Sequence, residues 1–464
     1  MGDGPLSETP SDGLPVPRRY WSIVAIWLAI TLAVLDSAVV NVALPTIARE
    51  FRIEPHEAIW IVNAYQIVIV VSLLPMASLG EIFGYHRVYL VGLALFTLAS
   101  LACALSGTLV ELTAARIVQG FGAAGVMSIN AALVRFTYPQ RMLGRGMGLN
   151  AMVVSLASAS APSLAAAILS VASWPWLFAV NIPIGLLAMA LAASALPRIP
   201  RVRRRFDFVG AFLNAVAFGL LIGGVDLLTR MGQPVVGSLL MAGGLTSFVV
   251  LALKGRGEAN PILPTDLLRI PIFGLSVATS ICSFCAQMLA LVSLPFLFDH
   301  VMHRSPAQIG LLLTPWPIMV GLLGPFAGAM ADRVSAALMG CVGLLVFSVG
   351  LGALALLPAD ASFWNVAWRM ALCGLGFGLF QSPNNRTMIM AAPPSRSGAA
   401  GGMLATARLT GQTAGATMVA ILFALRPEGG GEKLALTVAA GVALAGAAAS
   451  AMRFGAPRPG APSA

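Results

Sequence analysis

Charge is scarce in this chain of 464 residues. Asp, Glu, Lys and Arg together make up 10% of it, and no polar stretch is long enough to fold by itself, so a soluble catalytic domain is excluded. Histidine and cysteine are also few, at four and five. Cys103, Cys282, Cys285, Cys341 and Cys373 all fall inside apolar segments, where they read as small packing residues and not as a disulfide or zinc framework. Cys282 and Cys285 have the spacing of a redox pair, but no soluble fold flanks them. There is no GxxxxGK[ST] phosphate loop, and Gly374-Leu-Gly376-Phe-Gly378 lies within an apolar run with no strand before it, so neither ATP drive nor dinucleotide binding is supported. No His/Asp/Ser cluster recurs at catalytic spacing; the chain does not read as an enzyme, and no cofactor or metal is expected. What is abundant is apolar residue: 58% hydrophobic, 48 glycines and a mean hydropathy of +0.87, the composition of a chain that lives in lipid.

A helix needs about 20 apolar residues to cross the hydrocarbon. Runs bounded by charge, proline or turn clusters give fourteen candidate spans, near 21–45, 59–79, 88–107, 112–134, 147–171, 174–196, 208–228, 234–253, 273–298, 308–330, 337–357, 364–390, 400–425 and 434–452. The first run is too long and too poorly flanked for a cleaved signal peptide and is expected to remain as an anchor. The formal charge of +10 is dispersed between the runs, which points to an anionic membrane face and not to nucleic acid. With the N-terminus inside, nineteen Lys and Arg fall in cytoplasmic segments and six outside, which predicts an even span number and both termini cytoplasmic. The densest cluster, Arg201-Val-Arg203-Arg204-Arg205, reads as a topology anchor meeting lipid phosphates.

Asp36 is the only carboxylate well inside an apolar run, at an insertion cost of about 2.5–3.5 kcal/mol. It should therefore face a cavity or a partner, and it suits either a proton or a cationic substrate; a fixed salt bridge or packing hydrogen bond is the structural alternative. Arg116 cannot release its proton, but it can set the behaviour of Asp36, orient a water or simply bond backbone carbonyls. Gln119, at i+3, shares its helix face. Asn41, Asn63, Tyr65, Gln66, Gln381 and Asn384 are candidates to line a wet path, though many such residues serve as interhelical glue. Asp226, Arg230, Asp299, His300 and His303 sit near outer ends of spans as solvated interface groups or vestibule sites, and two His at i and i+3 without a third ligand make a poor metal site.

The loops after the second and tenth runs resemble one another: Gly80-Glu81-Ile-Phe-Gly84-Tyr-His-Arg87 and Gly328-Ala-Met-Ala-Asp332-Arg333. A duplicated six-helix unit, spans 1–6 and 9–14 with two helices inserted between, is the signature of alternating-access carriers. Gly80, Glu81, Gly84 and Arg87, with Asp332 and Arg333, read as a cytoplasmic gate or as solvated loop pairs. Further motifs accompany the repeat: Leu35-Asp36-Ser37 through Asn41 to Pro45, Arg116-Ile-Val-Gln119-Gly120, Trp174-Pro-Trp176 through Asn181 to Gly185, and Gln381-Ser382-Pro383-Asn384-Asn385. With these, nearly the whole chain resembles the major facilitator superfamily, and specifically its fourteen-span drug:proton antiporter branch of multidrug efflux carriers. In the second-span loop Glu81 replaces the usual Asp, and Tyr85 and His86 stand where basic residues are common. In the fifth span the branch's glycine-rich stretch is replaced by Ala157-Ser-Ala-Ser-Ala161-Pro162, which keeps small helix-packing volume and loses backbone permissiveness.

The resemblance implies an all-α membrane protein of major facilitator fold with fourteen transmembrane helices. Its parts would be a cytoplasmic tail (1–20), an N-terminal six-helix bundle (21–200), a basic linker with two inserted helices (201–260), a C-terminal six-helix bundle (261–453) and a short tail (454–464). The expected activity is export of lipophilic cationic or neutral compounds across a bacterial cytoplasmic membrane by proton antiport, with Asp36, Arg116 and Gln119 at the coupling and substrate site. Its partners would be the small-molecule substrate, protons and membrane lipids, with a monomer as the working unit. Export of an endogenous metabolite fits equally well, and a transport-inactive sensor or scaffold is the reading from another class.

Overall fold

In lipid every backbone N–H and C=O must be satisfied within the chain, and a helix does this segment by segment. The computed structural model describes residues 12–455 apart from 54, 59, 200, 203–204, 230–233, 256–257, 259–260, 305 and 426–429, and all regular structure among them is helical. The longer helices are α1 (Arg18–Phe51), α2 (Trp60–Phe83), α3 (Tyr85–Leu105), α4 (Leu109–Thr137), α5 (Leu143–Val171), α6 (Asn181–Ala195), α7 (Phe208–Thr229) and α8 (Pro234–Gly255). They continue with α9 (Pro271–Phe296), α10 (Pro315–Met330), α11 (Ala336–Ala355), α12 (Phe363–Ala391), α13 (Ser397–Ala424) and α14 (Gly431–Ala451). Short turns, Trp176–Ala179 and Pro306–Leu313, precede α6 and α10 where single runs are expected at 174–196 and 308–330. Among the described residues ten helices are long and apolar enough to cross a membrane, or eleven if α5, bent by 44° between Ser158 and Ser163, counts as one span. The basic residues Arg203, Arg204, Arg230, Arg256, Arg426 and Arg458, and the side chains of Asn41, Pro162 and Asp226, lie outside the described residues.

α6 packs against α1 and against α3, α1 against α5, and α4 against α2 and α3; α9 packs on α13 and α14, and α11 on α12 and α14. The main contacts joining these groups are α5 against α10 and α12, and α2 and α4 against α13. The contact of α5 with α10 is possible because both helices present glycine at the crossing: a Cβ on Gly148 would lie 2.1 Å from the Gly324 carbonyl oxygen, and one on Gly328 would lie 2.2 Å from that of Gly144. Ala157 and Ala161 are buried on α5 among Ile30, Val34 and the small core around Trp174, so small volume does serve packing there. α7 and α8 form a hairpin that leans on α2, where Asn214 Nδ2 donates to the Val71 carbonyl at 2.7 Å.

Candidate functional site

Asp36, midway along α1, is 3% exposed and sits in a web drawn from five helices. Its Oδ2 pairs with Arg116 Nη1 of α4, and its Oδ1 accepts from Gln119 Nε2 and from Asn181 Nδ2 of α6, both at 2.9 Å. Arg116 Nη1 also donates to Gln119 Oε1 (2.6 Å), its Nε donates to the Ile61 carbonyl of α2 (3.2 Å), and its guanidinium lies 3.8 Å over the Tyr65 ring. Gln119 Nε2 reaches Ser100 of α3, and the Tyr65 hydroxyl donates to the Ala33 carbonyl at 3.2 Å. One donor is left over: Arg116 Nη2 is buried with no partner. Asp36, Arg116 and Gln119 therefore meet in the buried interior of the first six helices, outside the lining of the cavities that face the second group.

Those cavities are walled from both groups. The largest, about 660 Å³, runs from Trp60, Phe296 and Phe423 at one end of α2, α9 and α13 down to Val70 and Leu409 near their middles. Asn63 and Gln66 line it, and Ile222 and Gly223 bring α7 into its wall. A second of about 310 Å³ shares Gln412 with it and is bounded by Phe284, Trp316, Phe377, Gln381 and Arg408; a third of about 80 Å³ adjoins through Arg408, Gln381 and Phe284 and reaches Asn130, Asn150 and Asn385. Tyr65 and Asn384, expected on the wet path, are instead buried inside their own bundles. Asn384 donates to Ser280 Oγ (2.8 Å) and accepts from Arg453 Nη1 (2.8 Å), so it anchors α14 to α9 and α12.

The opposite end is shut by charge. Glu81, at the foot of α2, accepts from the Ala399 N–H (2.8 Å) and pairs with Arg396 Nη1 at 3.0 Å, and Arg396 also pairs with Asp266 at 2.9 Å. Burial opposes the Arg396 charge, but Asp266 and Glu81 outweigh it and hold the guanidinium pKa above its ordinary value. The Tyr85 hydroxyl, where the resembled motif is commonly basic, accepts from the Gly398 N–H at 2.7 Å. Arg135 at the end of α4 donates to the Ile389 and Ala392 carbonyls (2.8 and 2.9 Å), satisfying the C-terminal carbonyls of α12 across the divide. Asp332 accepts from the Gly144 N–H (3.0 Å) and pairs with Arg386 Nε (3.1 Å). Gly84 turns the chain from α2 to α3 at φ +96°, a conformation glycine takes freely, and a Cβ on Gly80 would meet Ile129 and Tyr85 at 2.9 Å.

Two expected gate residues stand apart. The Arg87 and Arg333 side chains are exposed and make no hydrogen bond or ion pair with a described residue; the cations that reach across this end are Arg396 and Arg135, while Arg386 holds Asp332 from within its own half. The sequence shows an acid and a base side by side in each loop, but Glu81 finds its cation, Arg396, in the other half of the chain, while Asp332 pairs with Arg386 of its own half and reaches across only to the Gly144 N–H. Arg408 is also missing from the expected site; an arginine within an apolar run was the signal that could have found it. At the open end His300 pairs with Glu432 (3.4 Å) and Trp174 Nε1 donates to Glu50 (2.9 Å). No group of three His, Cys, Asp or Glu among the described residues could hold a metal ion.

The Major Facilitator Superfamily model matches residues 26–416. The chain belongs to that family. It is 50% identical to "Uncharacterized transporter YebQ" of Escherichia coli (strain K12), over 98% of this chain and 99% of that one. It is 29% identical to "Riboflavin transporter RibZ" of Clostridioides difficile (84% and 85%) and 31% to "Multidrug resistance protein Stp" of Mycobacterium tuberculosis (85% and 74%). Among solved structures it resembles the human organic anion transporter MFSD10, with a TM-score of 0.70 at 16% identity over 94% of this chain and all of that one, a likeness of fold alone. The protein is thus an all-helical, multi-pass membrane transporter of the major facilitator fold and not an enzyme.

Proposed function

We propose that the protein exports small organic molecules by alternating access, in exchange for protons. The observation that carries this reading is the asymmetry between the ends: a 660 Å³ cleft opens at one, and the Glu81–Arg396 ion pair, with the Gly144–Asp332 and Arg135–Ile389 hydrogen bonds, ties the two halves together at the other. The closed end holds the N-terminus of α1 and the basic loops, so the positive-inside rule makes it cytoplasmic, and the state is outward-open. α12 and α13 fall short of span hydropathy because Gln381, Asn385, Arg408 and Gln412 face the cavities and not lipid; with α7 they complete fourteen crossings and leave both termini inside. α1–α6 and α9–α14 are the two rocking bundles, and α7–α8 brace α2 while walling the cleft.

Asp36 is the coupling acid of this scheme, since it is the carboxylate buried mid-helix and Arg116 governs whether it can take a proton. The kinship to a multidrug resistance protein supports the drug-export branch, and kinship to a riboflavin transporter is compatible with an endogenous cargo. The test is uphill dye efflux in inside-out vesicles energised by a proton gradient. Wild type accumulates dye and Asp36→Asn, inserted at equal level, does not; equal accumulation by both removes Asp36 from coupling, and no accumulation by wild type of any dye in a mixed cationic, neutral and anionic panel removes proton antiport.

A further inference from the structure

Resting on that carrier reading, we infer that the cargo is an organic anion with an aromatic body, and that Arg408 binds its acid group. Arg408 is the one charged side chain among the residues lining the three central cavities, and no Asp or Glu lines any of them. Half-buried against the cavities, it makes no hydrogen bond or ion pair with any described residue, whereas the buried arginines among the described residues are held: Arg116 by Asp36, Arg396 by Glu81 and Asp266, Arg453 by Asn384 and Ser276. A guanidinium kept in a membrane interior without a partner is expensive, and such residues mark the path of a substrate or ion.

The surroundings specify the partner further. Arg408 lies eleven residues into α13, roughly 17 Å along the helix from the latched end, at the junction of the cavities. Gln287, Gln381 and Gln412 offer neutral amide donors beside it, while Phe284, Trp316 and Phe377 wall the same 310 Å³ space with flat apolar surface. A planar guanidinium fork matches a carboxylate or sulfonate through two parallel hydrogen bonds, and the dry walls strengthen that pairing. A lipophilic cation would meet the opposite: a like charge, and no carboxylate to replace its hydration. This narrows the expected cationic or neutral cargo to the anionic class, and it separates the binding site, on α13, from the coupling acid on α1.

The experiment pairs each member of a panel of naphthalene and fluorescein carboxylates with its methyl ester. Equilibrium binding to the purified full-length protein is measured by fluorescence anisotropy, alongside vesicle efflux. Wild type is expected to bind at least one acid ten-fold or more tighter than its ester; Arg408→Gln abolishes that preference while leaving ester affinity unchanged, and Arg408→Lys restores part of it. Absence of acid-over-ester preference across the panel in wild type, or its survival in Arg408→Gln, overturns the inference. Ester efflux without acid preference would sink the anion site and leave the carrier standing. Acid binding lost in Arg408→Gln, with no efflux of any probe, would keep the site and sink the carrier.

Discussion

Replacing Glu81 by Gln tests the latch most directly. Gln retains an oxygen for the Ala399 N–H but gives up the charge facing Arg396, which keeps its two bonds to Asp266 at 2.9 and 3.0 Å. The loss is therefore one buried charge-assisted hydrogen bond, about 1.5–3 kcal/mol, and not an abandoned arginine. Because the pair joins the two halves, that energy disappears only from the closed state, and the inward-open fraction rises about 10- to 150-fold. Asn385→Cys, which lines the small cavity beneath the latch, reports on this in a background with the native thiols Cys282 and Cys341 replaced. Maleimide labelling from the cytoplasmic face of inside-out vesicles should accelerate by that factor in Glu81→Gln, and Glu81→Gln/Arg396→Gln should not accelerate as the product of the two singles. Unchanged labelling, or strict multiplicativity, means that the pair does not hold the halves together.

Arg135→Gln withdraws the cap from α12 and should speed the same labelling by a further factor of about 10, corresponding to roughly 1–2 kcal/mol of lost charged hydrogen bonds; an unchanged rate would show that water satisfies those carbonyls equally well. Gly148→Ala places a methyl 2.1 Å from the Gly324 carbonyl oxygen and should cost the α5–α10 crossing about 1–3 kcal/mol, seen as reduced cysteine cross-linking between these helices. Arg116→Gln leaves Asp36 as an uncompensated buried charge and should lower the thermal stability of the purified protein by about 3–5 kcal/mol, with Asp36→Asn/Arg116→Gln recovering a good part; equal stability of the single and double variants would mean the pair is not coupled. At the foot of the α7–α8 hairpin, burial works against the Asp207 charge, but Lys254 at 2.8 Å and the Gly210 N–H hold its pKa below the ordinary value. Its small contribution is thus present above about pH 4 and fades as pH falls through the depressed value, so the stability difference between wild type and Asp207→Asn should vanish in acid.

What the sequence made legible is what lipid dictates. Apolar runs of span length located the long helices among the described residues, ten or eleven of which are long and apolar enough to cross, because a membrane leaves an unclosed backbone no other solution. Asp36, Arg116 and Gln119 could be grouped because an ionised group in such a run demands a partner, and Asn181 was visible only as part of a motif. The latch was half legible. Glu81 and Asp332 stood out as acids at helix ends, but Arg396 lies 315 residues from Glu81, and nothing local distinguishes it from Arg87 or Arg333. Cavity lining was the least legible. Gln381 and Asn384 are three residues apart on one helix, yet one lines the path and the other is sealed against Arg453, a difference set by what packs on each face of α12.

The position of Asp36 constrains how a proton can be exchanged. In the state that the structure shows, its oxygens accept from Arg116, Gln119 and Asn181, which leaves one of about four lone-pair sites, on Oδ2 beside the guanidinium, so a proton there competes with the Arg116 pair, and the guanidinium cannot surrender a proton instead. The same state leaves Arg116 Nη2 buried without an acceptor, an expense of about 1–3 kcal/mol that a swing of the guanidinium would relieve. α2 carries Glu81 of the latch and also supplies the Ile61 carbonyl and the Tyr65 ring to Arg116, so one helix links the latch to the acid. If Asp36 carries one proton inward for each anion that leaves by way of Arg408, two positive charges move inward per cycle, worth about 4.6 kcal/mol at 100 mV, against half that for a neutral cargo. A potassium diffusion potential imposed without a pH gradient should therefore accelerate efflux of a carboxylated dye more steeply than efflux of its ester; equal voltage dependence would deny that proton and anion share one cycle.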